Sequence, residues 1–176
     1  MLTVYGGPRT RASLPRWYME EKEISYTLIE LNRHSGENLK EEFFTINPFG
    51  KLPILIDSNI TMPNRDPLKL FESGAIPLHL AEQYSNDIKT IENKALTSQW
   101  LHFANSTLSI ALFAPSHREK EFPRLMKELD HQLETDQPLV GNVWGAADCA
   151  IQANLAYLTL LFPHIDLAPY PSIQAT

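Results

Sequence analysis

Two segments about twenty residues apart carry the residue types that could bind a small charged molecule. The first reads Asn-Pro-Phe-Gly-Lys-Leu-Pro over residues 47–53 and leads directly into the apolar Ile54–Asp57. The second reads Leu-Phe-Glu-Ser-Gly-Ala-Ile over residues 70–76 and opens an apolar segment that reaches Tyr84. Together they predict a site that holds a short peptide by its backbone and by its charged ends.

The proline of the first segment is best placed just before a strand. Pro53 has no N–H, so it fits poorly inside a central strand and well ahead of Ile54–Asp57. A cis Leu52–Pro53 bond would turn the Leu52 backbone outward, where its N–H and C=O could pair with a peptide. Base rates favour the trans isomer, so the residues alone leave this open. Lys51 would add a cation beside that backbone.

The second segment places an acid and a hydroxyl at the start of a predicted helix, Ser73–Tyr84. A helix start has unpaired N–H groups and partial positive charge, which suit a carboxylate at Ser73. Glu72, directly before it, could accept an ammonium group. The alternative is a capped helix after a surface turn with no ligand, and the spacing does not decide between the two.

These segments belong to a half of the chain that alternates strands and helices. Its opening strand-helix-strand order predicts a parallel pair. The last two strands predict a hairpin and therefore a mixed sheet, although their connection Ser58–Pro67 is long for one. The predicted elements are strands at Leu2–Tyr5, Ser25–Glu30, Ile54–Asp57 and Leu68–Phe71, and helices at Arg11–Lys22, Leu39–Phe44 and Ser73–Tyr84.

The second half has only helical periodicity. After a polar linker at residues 85–93, the domain 94–176 is predicted to be an all-helical bundle. Gly145 is predicted to cap its last long helix, with the Asp148 carboxylate reaching back to the cap N–H. The three predicted faces are Leu96, Trp100, Phe103, Leu108 and Ala111; Phe122, Leu125, Leu129 and Leu133; and Ile151, Leu155, Leu158 and Phe162.

Composition narrows the class of protein. The 176 residues are 43% hydrophobic and 20% charged, as expected of a globular protein. The net charge of -6 argues against nucleic acid as a partner. The one cysteine, Cys149, excludes an internal disulfide, favours a reducing cytoplasm and fits a core position. No apolar run is long enough to predict a membrane span.

The motifs and their order resemble the cytosolic glutathione transferases. The resemblance implies α/β plus all-α architecture: an N-terminal thioredoxin-like βαβ-ββα domain, residues 1–84, followed by a C-terminal helical bundle. It rests on Tyr5–Ser13, Asn47–Pro53, Glu72–Ile76 and Gly145–Asp148. The stretch Trp100–Leu108 looks most like the small bacterial and cyanobacterial members.

The resemblance assigns roles to the segments 47–53 and 70–76. Pro53 matches the cis-proline of the family, and Leu52 matches the residue whose backbone pairs with the cysteinyl part of glutathione. Glu72 and Ser73 match the pair that holds the γ-glutamyl ammonium and carboxylate. Lys51 matches a position that often contacts the glycyl carboxylate. Glutathione would be a co-substrate, no metal would be required, and a homodimer is typical of the family.

The family activates the glutathione thiol with a hydroxyl, or sometimes a cysteine, near the end of the first strand. Thr10 matches that position, where serine is commoner, and its hydroxyl could donate to a thiolate. Arg11 would favour the thiolate electrostatically. Ser13 is a second hydroxyl nearby, and Tyr5 could serve instead if the register differs.

The resemblance implies conjugation of glutathione to a small hydrophobic electrophile in a detoxification or stress response. Candidates for the wall of the acceptor cleft, expected between the two halves, are Trp17, Phe103 and Phe113, although each is individually more typical of a core. A glutathione-dependent disulfide reductase or peroxidase is an alternative, and so is a non-catalytic scaffold. The intact set at residues 51–53 and 72–73 argues against the scaffold.

Overall fold

The computed structural model describes residues 1–176, which form two compact units, Met1–Asn86 and Asp87–Thr176. The first unit contains a four-stranded sheet with helices, and the second is helical, so the predicted fold class is confirmed. In the first unit the elements are β1 (Leu2–Gly6), α1 (Ser13–Glu21), β2 (Thr27–Glu30), 3₁₀ turns at Arg33–Ser35 and Glu37–Leu39, α2 (Glu41–Phe44), β3 (Ile54–Thr61), β4 (Pro67–Phe71) and α3 (Ala75–Gln83).

The sheet has the order β2-β1-β3-β4 and is mixed, as the sequence predicted. β1 pairs in parallel with β2 and antiparallel with β3, and β3 pairs antiparallel with β4. The core of this unit includes Val4 and Leu55 from the sheet and Tyr18 and Leu80 from α1 and α3, each fully buried. The apolar positions of the strands and helices therefore define one hydrophobic core.

The predicted long loop at Ser58–Pro67 is wrong. β3 continues to Thr61 and β4 begins at Pro67, so a five-residue turn at 62–66 joins the hairpin. The sequence did not predict that β3 extends beyond Asp57, because the polar residues Ser58 and Asn59 interrupt the apolar pattern. A register shift between Asp57 and Thr61 bends the strand there.

The second unit contains α4 (Ile91–His102), a π-helical stretch (Phe103–Leu108), α5 (Ser109–Phe113), α6 (Pro115–Leu133), α7 (Ala146–Leu161) and α8 (Pro171–Ala175). α4 packs against α7, and α5 packs against α6. α4 begins inside the segment 85–93 that the sequence predicted as linker. No helix combines the length and apolar character that crossing a bilayer requires.

The first part of the predicted face, at Leu96, Trp100 and Phe103, is displaced by one residue, whereas Leu108 and Ala111 are buried as predicted. Thr97, Leu101 and Ala104 are the buried positions, whereas Leu96 is 44% exposed and Trp100 is only half-buried. Both α4 and the π-helical stretch pack against α7. The π-helical stretch then shifts the helical phase, which a periodicity of 3.6 residues does not anticipate.

Candidate functional site

The pairing of the strands brings three loops to one edge of the sheet, here called the loop edge. Tyr5 pairs with Ile54, and Ile54 pairs with Phe71. Because these residues stand at the end of β1, the start of β3 and the end of β4, the adjoining loops share that edge. The loop edge therefore carries residues 7–12 after β1, residues 45–53 before β3 and residues 72–74 after β4.

Two buried asparagines fix the turn that precedes β3. Asn47 is fully buried and donates from Nδ2 to the Lys51 carbonyl at 2.9 Å. Asn38 donates from Nδ2 to the Gly50 carbonyl at 2.7 Å. Gly50 has φ +60°, and a Cβ there would lie 3.1 Å from the Asn38 carbonyl oxygen. The turn therefore needs both amides and a glycine, and it holds Lys51 and Leu52 in place.

Sequence reasoning missed this positioning role of Asn38 and Asn47. A signal existed for Asn47, because asparagine before Pro-Phe-Gly is typical of a turn whose side chain bonds the backbone that follows. No local pattern marks Asn38, whose partner Gly50 lies twelve residues away. Its Oδ1 is buried and has no hydrogen-bond partner within the protein.

The turn presents backbone and charge toward solvent. The Leu52–Pro53 peptide bond is cis. Neither the N–H nor the C=O of Leu52 makes a hydrogen bond within the chain, and the residue is half-buried. Lys51 is exposed, and its ammonium group forms no ion pair within the chain. One strand-like backbone segment and one cation are thus available to a ligand at the loop edge.

The loop after β4 presents an acid and unpaired donors. Glu72 is exposed and adopts φ +76°, and its carbonyl accepts the N–H groups of Ala75 and Ile76 at 3.1 and 3.2 Å. The N–H groups of Ser73 and Gly74 have no partner within the chain, and neither does the Ser73 hydroxyl. These groups can bind an anion beside the partial positive charge of the α3 N-terminus.

The predicted start of α3 at Ser73 is wrong by two residues. α3 begins at Ala75, with Gly74 as its N-cap, and no side chain caps it. The positive φ of Glu72 turns the chain before the helix begins. Ser73 is therefore not a helix residue; it is 4% exposed, and its backbone N–H makes no hydrogen bond within the chain.

The hydroxyl of Thr10 is engaged within the loop after β1. Its Oγ1 donates to the Gly7 carbonyl at 2.8 Å and accepts the Ala12 N–H at 3.3 Å. The side chain is buried, with the residue 7% exposed. The sequence predicted that this hydroxyl donates to a thiolate, but its single proton lies toward Gly7. Donation to a ligand would require that bond to be released.

The other candidates for thiol activation lie in or near the same loop. α1 begins at Ser13 rather than at the predicted Arg11, so Arg11 is a half-buried loop residue. Ser13 is exposed, and its Oγ lies 3.4 Å from the Thr10 carbonyl oxygen. Tyr5 is half-buried within β1, with its ring 6.1 Å from that of Phe43. The sheet and α2 thus account for Tyr5 as a packing residue.

The three aromatic candidates for an acceptor wall each have partners in their own unit. Trp17 Nε1 donates to Glu21 at 3.0 Å. Phe103 meets Trp100 edge to face, and Phe113 stacks on Phe162.

The motif at Gly145–Asp148 is structural, as the sequence predicted. Gly145 is the N-cap of α7, and its N–H donates to the Asp148 carboxylate at 2.9 Å. The other carboxylate oxygen accepts the Leu139 N–H at 2.8 Å. Cys149 is fully buried, so it is a core residue. The structure contains no cluster of three or more His, Cys, Asp or Glu side chains placed to hold a metal ion.

Comparison with known proteins gives one consistent family. The N-terminal domain of glutathione S-transferase matches residues 1–82. The disulfide-bond oxidoreductase YfcG of Escherichia coli is 30% identical over 190 aligned positions, covering 99% of this chain and 87% of that protein. Glutathione S-transferase F10 of Arabidopsis thaliana is 29% identical, covering 90% and 78%.

A solved structure with the same fold is a Burkholderia graminis glutathione transferase with two glutathione molecules bound per subunit. It has a TM-score of 0.80 and 25% identity, covering 98% of this chain and 80% of that one. The sheet-containing unit and the helical unit have the fold of the glutathione transferases. The chain belongs to the glutathione transferase family.

Proposed function

We propose that this protein binds glutathione along the loop edge and transfers its thiolate to a small electrophile. The observation that carries the proposal is the set of unpaired groups on one edge: the Leu52 backbone, the Lys51 ammonium, and the acid and donors of Glu72 and Ser73. Their charges and order match a tripeptide that has an ammonium and a carboxylate at one end and a carboxylate at the other.

Each group would bind one part of glutathione. The Leu52 N–H and C=O would pair with the cysteinyl unit as an added strand does. The Glu72 carboxylate would accept the γ-glutamyl ammonium, while Ser73 donates to the neighbouring carboxylate. Lys51 would meet the glycyl carboxylate. None of these groups gives up an existing hydrogen bond within the protein when it binds glutathione. No internal hydrogen bond therefore has to be broken for binding.

Thiol activation would fall to the loop after β1. A free thiol has a pKa of about 8.5, so a small fraction is thiolate at neutral pH. A hydrogen bond and a nearby cation each favour the thiolate. Arg11 would supply the charge, and Thr10 would donate to the sulfur after releasing the Gly7 carbonyl. Ser13 is the alternative hydroxyl. The thiolate then bonds to the electrophilic carbon, and the leaving group departs with the electron pair.

A second candidate function is glutathione-dependent disulfide reduction. It is favoured by the similarity to the Escherichia coli disulfide-bond oxidoreductase, and by a 26% identical Pseudomonas putida transferase structure with one glutathione disulfide bound per subunit. One glutathione thiolate would attack a substrate sulfur, releasing the first product thiolate. A second glutathione would release the other product thiol and form glutathione disulfide. Cys149 is fully buried, so both reducing thiols would come from glutathione.

The experiment that tests the proposal is calorimetric titration with reduced glutathione in two buffers of different ionisation enthalpy. Binding with net proton release supports thiolate stabilisation at the site. Absence of binding at millimolar glutathione would refute the proposal and favour a non-catalytic scaffold. Turnover of 1-chloro-2,4-dinitrobenzene compared with 2-hydroxyethyl disulfide then separates conjugation from disulfide reduction.

We also propose a homodimer and a cytoplasmic location, as the family resemblance implies. The exposed aromatic pair of Phe49, 64% exposed, and Phe71, 43% exposed, supports self-association because solvent-exposed aromatic side chains favour burial. The single cysteine fits a reducing compartment.

A further inference from the structure

A cleft of about 640 Å³ lies beside the proposed glutathione site, within the first unit. Its lining comes from the loop after β1 and from the chain that follows β2: Pro8, Arg9, Glu30, Leu31, Arg33 and Glu37 are among its residues. The volume is in the range of small-molecule sites. None of these residues was assigned a role by the sequence or by the proposed binding of glutathione.

The register of the sheet places this cleft next to the loop after β1, where the glutathione sulfur is proposed to lie. Glu30 pairs with Gly6, and the Leu31 N–H donates to the Gly6 carbonyl at 2.6 Å. The cleft thus opens at the β1–β2 end of the loop edge, while the proposed glutathione groups stand over β3 and β4. Adjacent strands are about 4.8 Å apart, so the end of β2 lies about 10 Å from the start of β3. A second reactant in the cleft would reach a cysteinyl sulfur held at Leu52.

Hydrogen bonds hold the turn that forms one wall of the cleft. Asn32 Oδ1 accepts the N–H groups of His34 and Ser35 at 3.0 and 3.2 Å, which caps the turn that carries Arg33. The Asn32 N–H donates to the Glu37 carboxylate at 2.6 Å. On the opposite side Gly7 approaches the Leu31 carbonyl so closely that a Cβ would lie 2.4 Å from its oxygen.

Two guanidinium groups of the cleft have no carboxylate partner. Arg9 and Arg33 both line it, and neither forms an ion pair within the chain. Arg9 adopts φ +57°, a left-handed conformation that is uncommon for arginine. The cleft also contains two acids, Glu30 and Glu37, and both oppose an anion; the Glu37 carboxylate is held at the turn by the Asn32 N–H.

We propose that this cleft is an acceptor subsite selecting a second substrate that carries a carboxylate, which Arg9 and Arg33 bind. This inference rests on the proposed glutathione transfer and changes the expected acceptor from a purely hydrophobic molecule to an anionic one. Guanidinium groups bind carboxylates through paired hydrogen bonds. Glu30 and Glu37 oppose the bound carboxylate and limit its affinity.

The test compares two acceptors with the same reacting carbon, 4-chloro-3-nitrobenzoate and 4-chloro-3-nitrobenzamide, with glutathione saturating. The ratio of their kcat/KM values cancels effects on glutathione activation. Arg9→Gln and Arg33→Gln should each lower the carboxylate-to-amide ratio about three- to tenfold, through the KM of the acceptor. Glu30→Gln should raise it about twofold. Arg65→Gln is the matched control, because Arg65 is also exposed and also has positive φ, at +68°.

A binding measurement keeps this inference separate from the proposed function. Titration with the unreactive 4-methyl-3-nitrobenzoate and its amide measures the subsite directly, while titration with S-methylglutathione measures the main site. Loss of benzoate affinity in both arginine variants, with unchanged S-methylglutathione affinity, supports the subsite. The subsite proposal is overturned if wild type binds the benzoate and the amide equally. It is also overturned if the arginine variants raise only the KM of glutathione. Failure of wild type to bind S-methylglutathione refutes the proposed function, and the benzoate titration still decides the subsite.

Discussion

Replacement of Ser73 by alanine should weaken ligand binding with little change in the stability of the fold. The Ser73 hydroxyl has no hydrogen-bond partner within the unliganded chain, so Ser73→Ala leaves no buried donor or acceptor unpaired. We therefore expect a change in the free energy of unfolding below about 0.5 kcal/mol. A hydrogen bond to a ligand carboxylate contributes about 1.5–3 kcal/mol. Since about 1.4 kcal/mol corresponds to a factor of ten, glutathione should bind roughly 10- to 100-fold more weakly.

The assay is calorimetric titration of wild type and Ser73→Ala with S-methylglutathione, together with thermal unfolding of both proteins. Ser58→Ala is the control, because the Ser58 hydroxyl is exposed and donates to the Met1 carbonyl at the opposite end of the sheet. A dissociation constant for Ser73→Ala within twofold of wild type, with an unchanged melting temperature, would refute the assignment of Ser73 to the γ-glutamyl carboxylate.

Three further predictions concern Thr10, Tyr84 and Phe49. Thr10→Ala should destabilise the fold by about 1–3 kcal/mol, because the Gly7 carbonyl loses its partner, and it should also slow turnover. Thr10→Ser should restore both stability and turnover. A Thr10→Ala protein with the stability and turnover of wild type would contradict this prediction. Burial raises the pKa of Asp57, but hydrogen bonds from Tyr84, His79 and the Asn59 N–H hold it below its ordinary value. Tyr84→Phe should therefore cost about 1.5–3 kcal/mol at pH 7, and urea unfolding should show the deficit shrinking as the pH falls below about 4; a deficit independent of pH would count against it. Phe49→Ser should weaken the proposed homodimer in sedimentation equilibrium, whereas unchanged association would exclude the Phe49–Phe71 surface from the interface.

The sign of the Asp57 effect follows from the direction of its pKa shift. A carboxyl whose folded-state pKa lies below its unfolded value contributes stability above the unfolded pKa. That contribution is lost as the pH falls through the folded-state pKa. Asp57 pairs with Leu2 and Leu68 in the sheet, so this cluster lies away from the loop edge. Its pH dependence should therefore appear in unfolding rather than in glutathione affinity.

Much of the architecture was predictable because it depends on local patterns. Short apolar segments identified all four strands, and the positions of Gly145 and Asp148 identified the start of α7. Prolines and glycines marked the turns, since their backbone restrictions act within a few residues. The prediction failed where the apolar pattern was interrupted. The end of β3 was not predicted, because Ser58 and Asn59 are polar and an exposed strand position needs no apolar side chain.

The chain by itself determined which residue types stand beside the turns: Lys51 and Leu52 before β3, and Glu72 and Ser73 after β4. Only the tertiary structure decided which of their groups remain unpaired. The Thr10 hydroxyl bonds to Gly7, the Ser73 hydroxyl has no partner, and Asn38 supports a glycine twelve residues away. The physical reason is that a hydrogen bond depends on distances between groups, and strand pairing sets those distances between residues remote in sequence.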